Sequence, residues 1–204
     1  TFYNVTMNKL SGGTLFIASG DTMVVTNTLL LTDGLVDTGT GDARGDITQA
    51  ATFDGGNATL DFGNDALAQT YTINGGLAPI LRFDSAADAS DNAVFNAAGT
   101  LYGLNITGGF SGTVPMTYNG FNLTLGQGDF TQAAGTFIAP ATLNVGTAGA
   151  FESGVDFTKT GGIFTEGTGT VLFGGFSGTF DVAVTETFYN VTMNKLSGGT
   201  LFIA

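Results

Sequence analysis

Residues 1–18 read Thr1-Phe-Tyr-Asn-Val-Thr-Met-Asn-Lys-Leu-Ser-Gly-Gly-Thr-Leu-Phe-Ile-Ala18, and residues 187–204 repeat that segment without a mismatch. The second copy opens at Thr187 as the first does at Thr1. Convergent packing preserves a pattern, not an identity, so residues 1–186 form one full tandem period and 187–204 start the next identical repeat. The chain opens without Met and closes inside an apolar run, Leu201-Phe-Ile-Ala204. We therefore expect it to be a window on a longer array.

A fainter repeat lies inside the period. Thr100-Leu-Tyr-Gly-Leu-Asn-Ile-Thr-Gly-Gly-Phe-Ser-Gly-Thr113 aligns with Thr1–Thr14 without gaps, and Asp46-Ile-Thr-Gln-Ala-Ala-Thr-Phe53 echoes Asp129-Phe-Thr-Gln-Ala-Ala-Gly-Thr-Phe137. The period thus divides into two diverged halves, about 1–99 and 100–186. Such layered duplication suits an architecture in which each unit packs only on its neighbours.

Alternation sets the local structure. Tyr3, Val5 and Met7 fall on one side of a strand, with Asn4, Thr6 and Asn8 on the other. The same split places Leu104 with Ile106, Leu123 with Leu125, Leu143 with Val145, and Val171 with Phe173. These eleven apolar residues are the expected inward core. Turn signals punctuate the strands at Ser11-Gly12-Gly13, Asp33-Gly34, Asp54-Gly55-Gly56, Asn74-Gly75-Gly76, Asn119-Gly120, Gly161-Gly162 and Gly174-Gly175. The expected fold is all-β, a β-solenoid (β-helix) of short strands and Gly-rich turns. A coil of ~20–24 residues rising ~4.8 Å per strand makes a period ~40 Å long. Tandem Ig-like β-sandwiches fit the same length. Against them, no Pro-rich or charged linker separates the halves, and the Cys…Trp…Cys hallmark is absent.

Composition narrows the function. Apolar residues make up 43% of the chain, too much for disorder, while 33 Gly against 3 Pro favour tight turns over long helices. Five Lys and Arg face 17 Asp and Glu, so no cationic surface for nucleic acid or an anionic membrane is expected. No apolar run approaches the ~18–20 residues of a membrane-spanning helix. With no Cys or His, thiol nucleophiles, disulfide staples and imidazole bases are absent.

The run Gly161-Gly-Ile-Phe-Thr-Glu-Gly-Thr-Gly-Thr-Val-Leu-Phe-Gly-Gly-Phe-Ser-Gly-Thr179, followed by Thr187-Phe-Tyr-Asn-Val-Thr-Met-Asn194, resembles a unit of giant tandem-repeat bacterial cell-surface, adhesin-like proteins. In those proteins a G-G-x-F…G-T-G-T-V-x-F segment precedes an F-x-N-V/L-T-x-N segment many times over. The resemblance implies a β-helical, secreted filament or surface protein and supplies no catalytic residues. The expected role is a structural, non-catalytic segment of an extracellular filament, matrix fibre or stalk, packing on copies of itself. An adhesin stalk presenting a binding domain outside this window is the alternative. A polysaccharide-active β-helix enzyme is the remote one, since paired carboxylates cannot be dismissed by counting.

Three sets of polar residues are candidate sites. Asp33, Asp37, Asp42 and Asp46, and separately Asp84, Asp88 and Asp91, could supply carboxylates to calcium, although neither group matches a known calcium-loop pattern. Otherwise no cofactor is expected. Sequons place Asn4, Asn57, Asn105, Asn122 and Asn190 on polar strand faces, open to glycosylation or simply to Asn/Thr ladders. Arg44-Gly45-Asp46 is an adhesion tripeptide on paper and, in a Gly- and Asp-rich stretch, an ordinary polar turn.

Overall fold

Period-two alternation buries one side of each short strand, and the corners between strands decide how those sides meet. The computed structural model describes residues 1–10, 12–62, 68–147 and 154–204. Ser11 of the expected Ser11-Gly12-Gly13 turn lies outside the described residues. Among these residues there is no helix, and the paired strands run parallel, stacked into a β-solenoid of about eight turns. Parallel stacking of consecutive coils is incompatible with a row of Ig-like sandwiches, whose strands pair antiparallel.

Three sheets line the coil, and the chain visits them in a fixed order. Face B carries Phe2–Asn8, the middle of the long strand Thr22–Asp37, then Ile47–Gln49, Thr70–Ile73, Asn92–Phe95 and Met116–Thr117. A Thr113–Thr136 bridge links that face to Thr136–Ile138 and Ile163–Thr165. Face C carries Thr14–Phe16, the end of Thr22–Asp37, Phe53–Gly55, Leu77–Ala78 and Gly99–Leu101. It continues through Leu123–Leu125, Thr142–Val145, Thr170–Phe173 and Asn190–Met193. Face A begins with the start of Thr22–Asp37 and runs through Thr40–Ala43, Thr59–Phe62, Ile80–Phe83 and Leu104–Ile106. Phe130–Gln132, Phe157–Lys159, Gly178–Val182 and Leu201–Ile203 complete it. The strand Gly99–Leu101 spans the join between the two halves of the period and is paired on both sides.

Coil length varies more widely than a uniform repeat would allow. A short coil carries the chain from Leu29 to its partner Ile47, and a much longer one from Thr142 to its partner Thr170. Strands keep their register while corners absorb the difference.

In-register stacking produces columns of like side chains inside the coil. On face A, Leu60, Leu81, Leu104, Phe130, Phe157 and Phe180 follow one another strand by strand. Phe130 and Phe157 stack with ring centroids 4.6 Å apart and 12° between planes, and Phe180 continues the stack at 5.4 Å. On face C, Leu123, Leu143 and Val171 form a column beside Leu125, Val145 and Phe173. All of these except Phe180 are buried, each contributing ~1.5–3 kcal/mol relative to exposure. Ten of the eleven expected core residues face inward: Met7, Leu104, Ile106, Leu123, Leu125, Leu143, Val145, Val171 and Phe173 are buried, and Val5 packs against them half-buried.

Tyr3 does not. It is 70% exposed. A register shift between Phe2 and Asn4 interrupts the alternation that should place Tyr3 with Val5 and Met7.

Close coil stacking also restricts the corners. Gly162 has φ +73°, and a Cβ there would lie 2.5 Å from the carbonyl oxygens of Ala134 and Gly135 in the coil before. No side chain fits, so glycine is required.

Candidate functional site

The seven aspartates proposed from sequence as calcium ligands are mostly engaged with backbone amides at corners. Asp33 Oδ1 accepts from the Gly34 N–H, Asp37 Oδ1 from Asn57 N–H, and Asp46 Oδ1 from Thr70 N–H, the last two reaching into the next coil. Asp84 Oδ1 accepts from Ala86 N–H. Asp88 and Asp91 do come together: Asp91 Oδ2 accepts from Asp88 N–H, while its Oδ1 takes the Gln69 N–H. The Asp88 carboxyl, accepting from both Ser90 Oγ and Ser90 N–H, is held below the ordinary carboxylate range by those bonds. Among the described residues no group of three or more His, Cys, Asp or Glu side chains is placed to hold a metal ion. The same corner device recurs at Asp129, which accepts from Asp156 N–H, and at Asp156, which accepts from Thr179 N–H.

Asp42 belongs to a different arrangement, a column on the outside of face A. Register places Asp42 beside Asp61, Asp61 beside Arg82, and Arg82 beside Asn105. Arg44 donates to Asp42 Oδ2 at 2.8 Å, and Arg82 is bonded to Asp61. Burial raises the Asp61 carboxyl above its ordinary value, with Arg82 opposing that shift. Each of these two carboxylates is paired with a guanidinium and nearly buried. A shallow groove outside face C, lined by Asp37, Asp54, Asn57, Leu77, Tyr102 and Gln127, likewise has its acids occupied: Asp54 Oδ2 accepts from Gly12 N–H.

The sequon asparagines all lie on outward strand positions or corners. Asn4, Asn57, Asn122 and Asn190 are exposed, and Asn105 is half-buried. Several join inter-coil ladders: Asn27 Nδ2 donates to Asn4 Oδ1 at 2.8 Å, and Thr131 Oγ1 to Asn105 Oδ1 at 2.9 Å. The Arg44-Gly45-Asp46 tripeptide is a stacked corner, because a Cβ on Gly45 would fall 1.7 Å from the Asn27 carbonyl oxygen.

Polar residues inside the coil escape a reading based on alternation. Gln49 and Gln132 are buried and donate Nε2 to carbonyls of the following coil, to Gly75 O at 2.7 Å and to Ile163 O at 2.9 Å. Tyr71, its phenol kept protonated by burial, donates to Gln49 Oε1. Lys159 stacks on Gln132 inside face A and pairs with Glu186 at 3.0 Å. The Gln-Ala-Ala echo at residues 49–51 and 132–134 was the available signal. Each copy underlies a Gly-Gly corner one coil later.

Exposed apolar side chains concentrate in the repeated segment. Ten of the fourteen exposed large hydrophobic residues among those described belong to the two copies of the repeated segment. In the first, Phe2, Tyr3, Leu10 and Phe16 are bare. In the second, Tyr189, Val191, Met193, Leu196, Phe202 and Ile203 are. Patches of this kind mark association surfaces. No helix among the described residues is long and apolar enough to cross a membrane. No family model, curated protein or solved structure matches the chain.

Proposed function

We propose that this β-solenoid is a structural, non-catalytic repeat segment of a long extracellular or cell-surface fibre. The observation that carries this reading is the repeated segment itself, present as a paired strand at both extremities of one unbroken stack. A rod built this way has a mechanical function: the columns of Leu, Val and Phe resist bending and unfolding, and the Asn/Thr/Asp exterior stays hydrated. A net charge of −12 keeps neighbouring rods apart in solution. The resemblance to giant bacterial surface proteins supports the location.

Immunogold labelling of intact producing cells with an antibody to the chain tests the role. Label along surface fibres is expected. Label confined to the cell interior, or turnover of an acidic or neutral polysaccharide by the purified chain, overturns it. Label only along the shaft of projections that end in an unlabelled tip identifies a stalk rather than a self-packing fibre.

A further inference from the structure

We infer that the repeated segment is a shared, two-sided coil, and that successive repeats fuse through it with a phase of eight and a third turns. The occupant of each apolar end is therefore the neighbouring repeat of the same kind.

Pairing in the two copies supplies the first argument. Asn4, Val5, Thr6 and Met7 pair with Thr28, Leu29, Leu30 and Leu31, in the coil that follows. Their equivalents Asn190, Val191, Thr192 and Met193 pair with Thr170, Val171, Leu172 and Phe173, in the coil that precedes. The second strand of the segment behaves alike: Thr14–Phe16 pairs forward with Leu35–Asp37, and Leu201–Ile203 pairs back with Gly178–Phe180. In both copies the same side chains point inward, since Val5 and Met7 lie beside buried Leu29 and Leu31, and Val191 and Met193 beside buried Val171 and Phe173.

The backbone groups that the two copies use at their strand ends do not overlap. Asn194, Leu196 and Ala204 donate N–H to Phe173, Gly175 and Phe180. These are positions 8, 10 and 18 of the segment. In the first copy Lys9 and Ile17 donate instead, to Asp33 and Asp37. Gly13 O accepts from Leu35 N–H, whereas Thr200 O, position 14, accepts from Gly178 N–H. Alternate residues of a strand direct these groups to opposite edges, so one copy of the segment can make both sets of bonds at once. The corner inside it is also the same in both places, with Gly12 at φ +77° and Gly198 at +82°.

The faces supply the phase. Val5 and Met7 are on face B, but Val191 and Met193 are on face C; Thr14–Phe16 is on face C, but Leu201–Ile203 is on face A. Both strands have advanced by one face over a single period, which is about eight turns plus a third. The diverged middle occurrence, Leu104–Ile106, is on face A, so the segment folds on all three. When repeats share the coil, face C of one continues as face B of the next, face A as face C, and face B as face A. Each repeat advances ~40 Å and turns its surface by about 120°. This stands on pairing alone and is independent of where the rod resides or whether it has an activity.

Cryo-electron microscopy of the chain extended by two further copies of residues 19–204 is the test. The expected result is one continuous rod in which equivalent residues of successive repeats are rotated by a third of a turn. Equivalent residues on the same side of the rod, or a gap at the joins, overturns the proposal. Because the chain has no cysteine, disulfide trapping gives an independent readout. Thr192→Cys should couple to Leu172→Cys of its own repeat and, in a separate variant, to Leu30→Cys of the following one. Coupling to only one of the two overturns the shared coil. A rod with the stated phase that also cleaves a polysaccharide leaves this proposal standing and removes the structural role instead.

Discussion

Two identical segments of this molecule have the same corner and the same inward side chains, yet differ widely in burial. Met7 is 4% exposed and Met193 53%; Ile17 is 7% exposed and Ile203 81%. The difference lies in their neighbours. Residues 1–18 lie under the long strand Thr22–Asp37, which pairs with both of their strands and so covers them on faces B and C. Residues 187–204 hold to the preceding coil through Phe188, whose ring meets Phe157, Phe164, Phe173 and Phe180 at 5.9, 5.6, 6.4 and 5.7 Å. In a solenoid the sequence of a coil fixes its shape and its inward face, while its stability is conferred by the coils on either side.

That contrast can be broken at the aromatic cluster. Phe157→Ala removes a ring that touches Phe130, Phe164, Phe173, Phe180 and Phe188. A loss of ~3–5 kcal/mol is expected in denaturant unfolding. Hydrogen exchange should accelerate at residues 190–193 and remain slow at residues 4–7; equal acceleration at both would mean the two copies do not depend on separate neighbours. Glu186→Gln acts beside the same copy by leaving the Lys159 ammonium buried without its partner, at a cost of ~3 kcal/mol. Restoring stability with Lys159→Met in the same chain would show that the unpaired ammonium, not the new amide at position 186, causes the loss.

Methionine truncation sharpens the comparison. Met7→Ala should cost ~2–3 kcal/mol, near the lower end for a buried methionine, and Met193→Ala less than ~1 kcal/mol. In a chain extended by residues 19–204, the shared copy should take the larger value. Urea midpoints of the three variants and their two parent chains decide it, and a Met193 cost unchanged by extension contradicts the shared coil.

The smallest effect is that of pH. Burial raises the carboxyls of Asp61 and Asp129 above the ordinary 3.8, so the folded state binds their protons more readily than the unfolded one. Their charged forms oppose folding above that shifted range, and acidification toward 3.8 relieves the opposition. Asp88 is shifted the other way, so its stabilisation is present above 3.8 and is lost as pH falls below it. Stability carried by these three groups should therefore rise on acidification toward about pH 4 and fall beyond it. Asp129→Asn should weaken the upper limb and leave the lower one unchanged, as read from thermal midpoints across that range.

Much of the fold is legible in the chain because its strands are short and one-sided. Leu104 with Ile106, and Leu123 with Leu125, announce an inward face by spacing alone, and a perfect repeat favours an architecture that can continue through the repeat boundary. What spacing cannot report is which of three faces a strand joins, since all three use the same alternation. Gln49, Gln132 and Lys159 are missed for a related reason: a polar residue in an inward position looks like a break in the pattern until the carbonyl or carboxylate it meets one coil away is known. The corner bonds of the aspartates are out of reach in the same way: the amides that Asp37 and Asp46 accept from, Asn57 and Thr70, are 20 and 24 residues distant.

The unequal coils, short from Leu29 to Ile47 and long from Thr142 to Thr170, show where this molecule can change. Lengthening a flexible corner costs only ~0.6 kcal/mol for each doubling, whereas a misplaced residue in a column disturbs strands above and below. The three sheets act as rails, and the corners between them are open to insertion. Variants of such a rod can therefore diverge quickly in the corners they carry while the shaft beneath keeps its pitch.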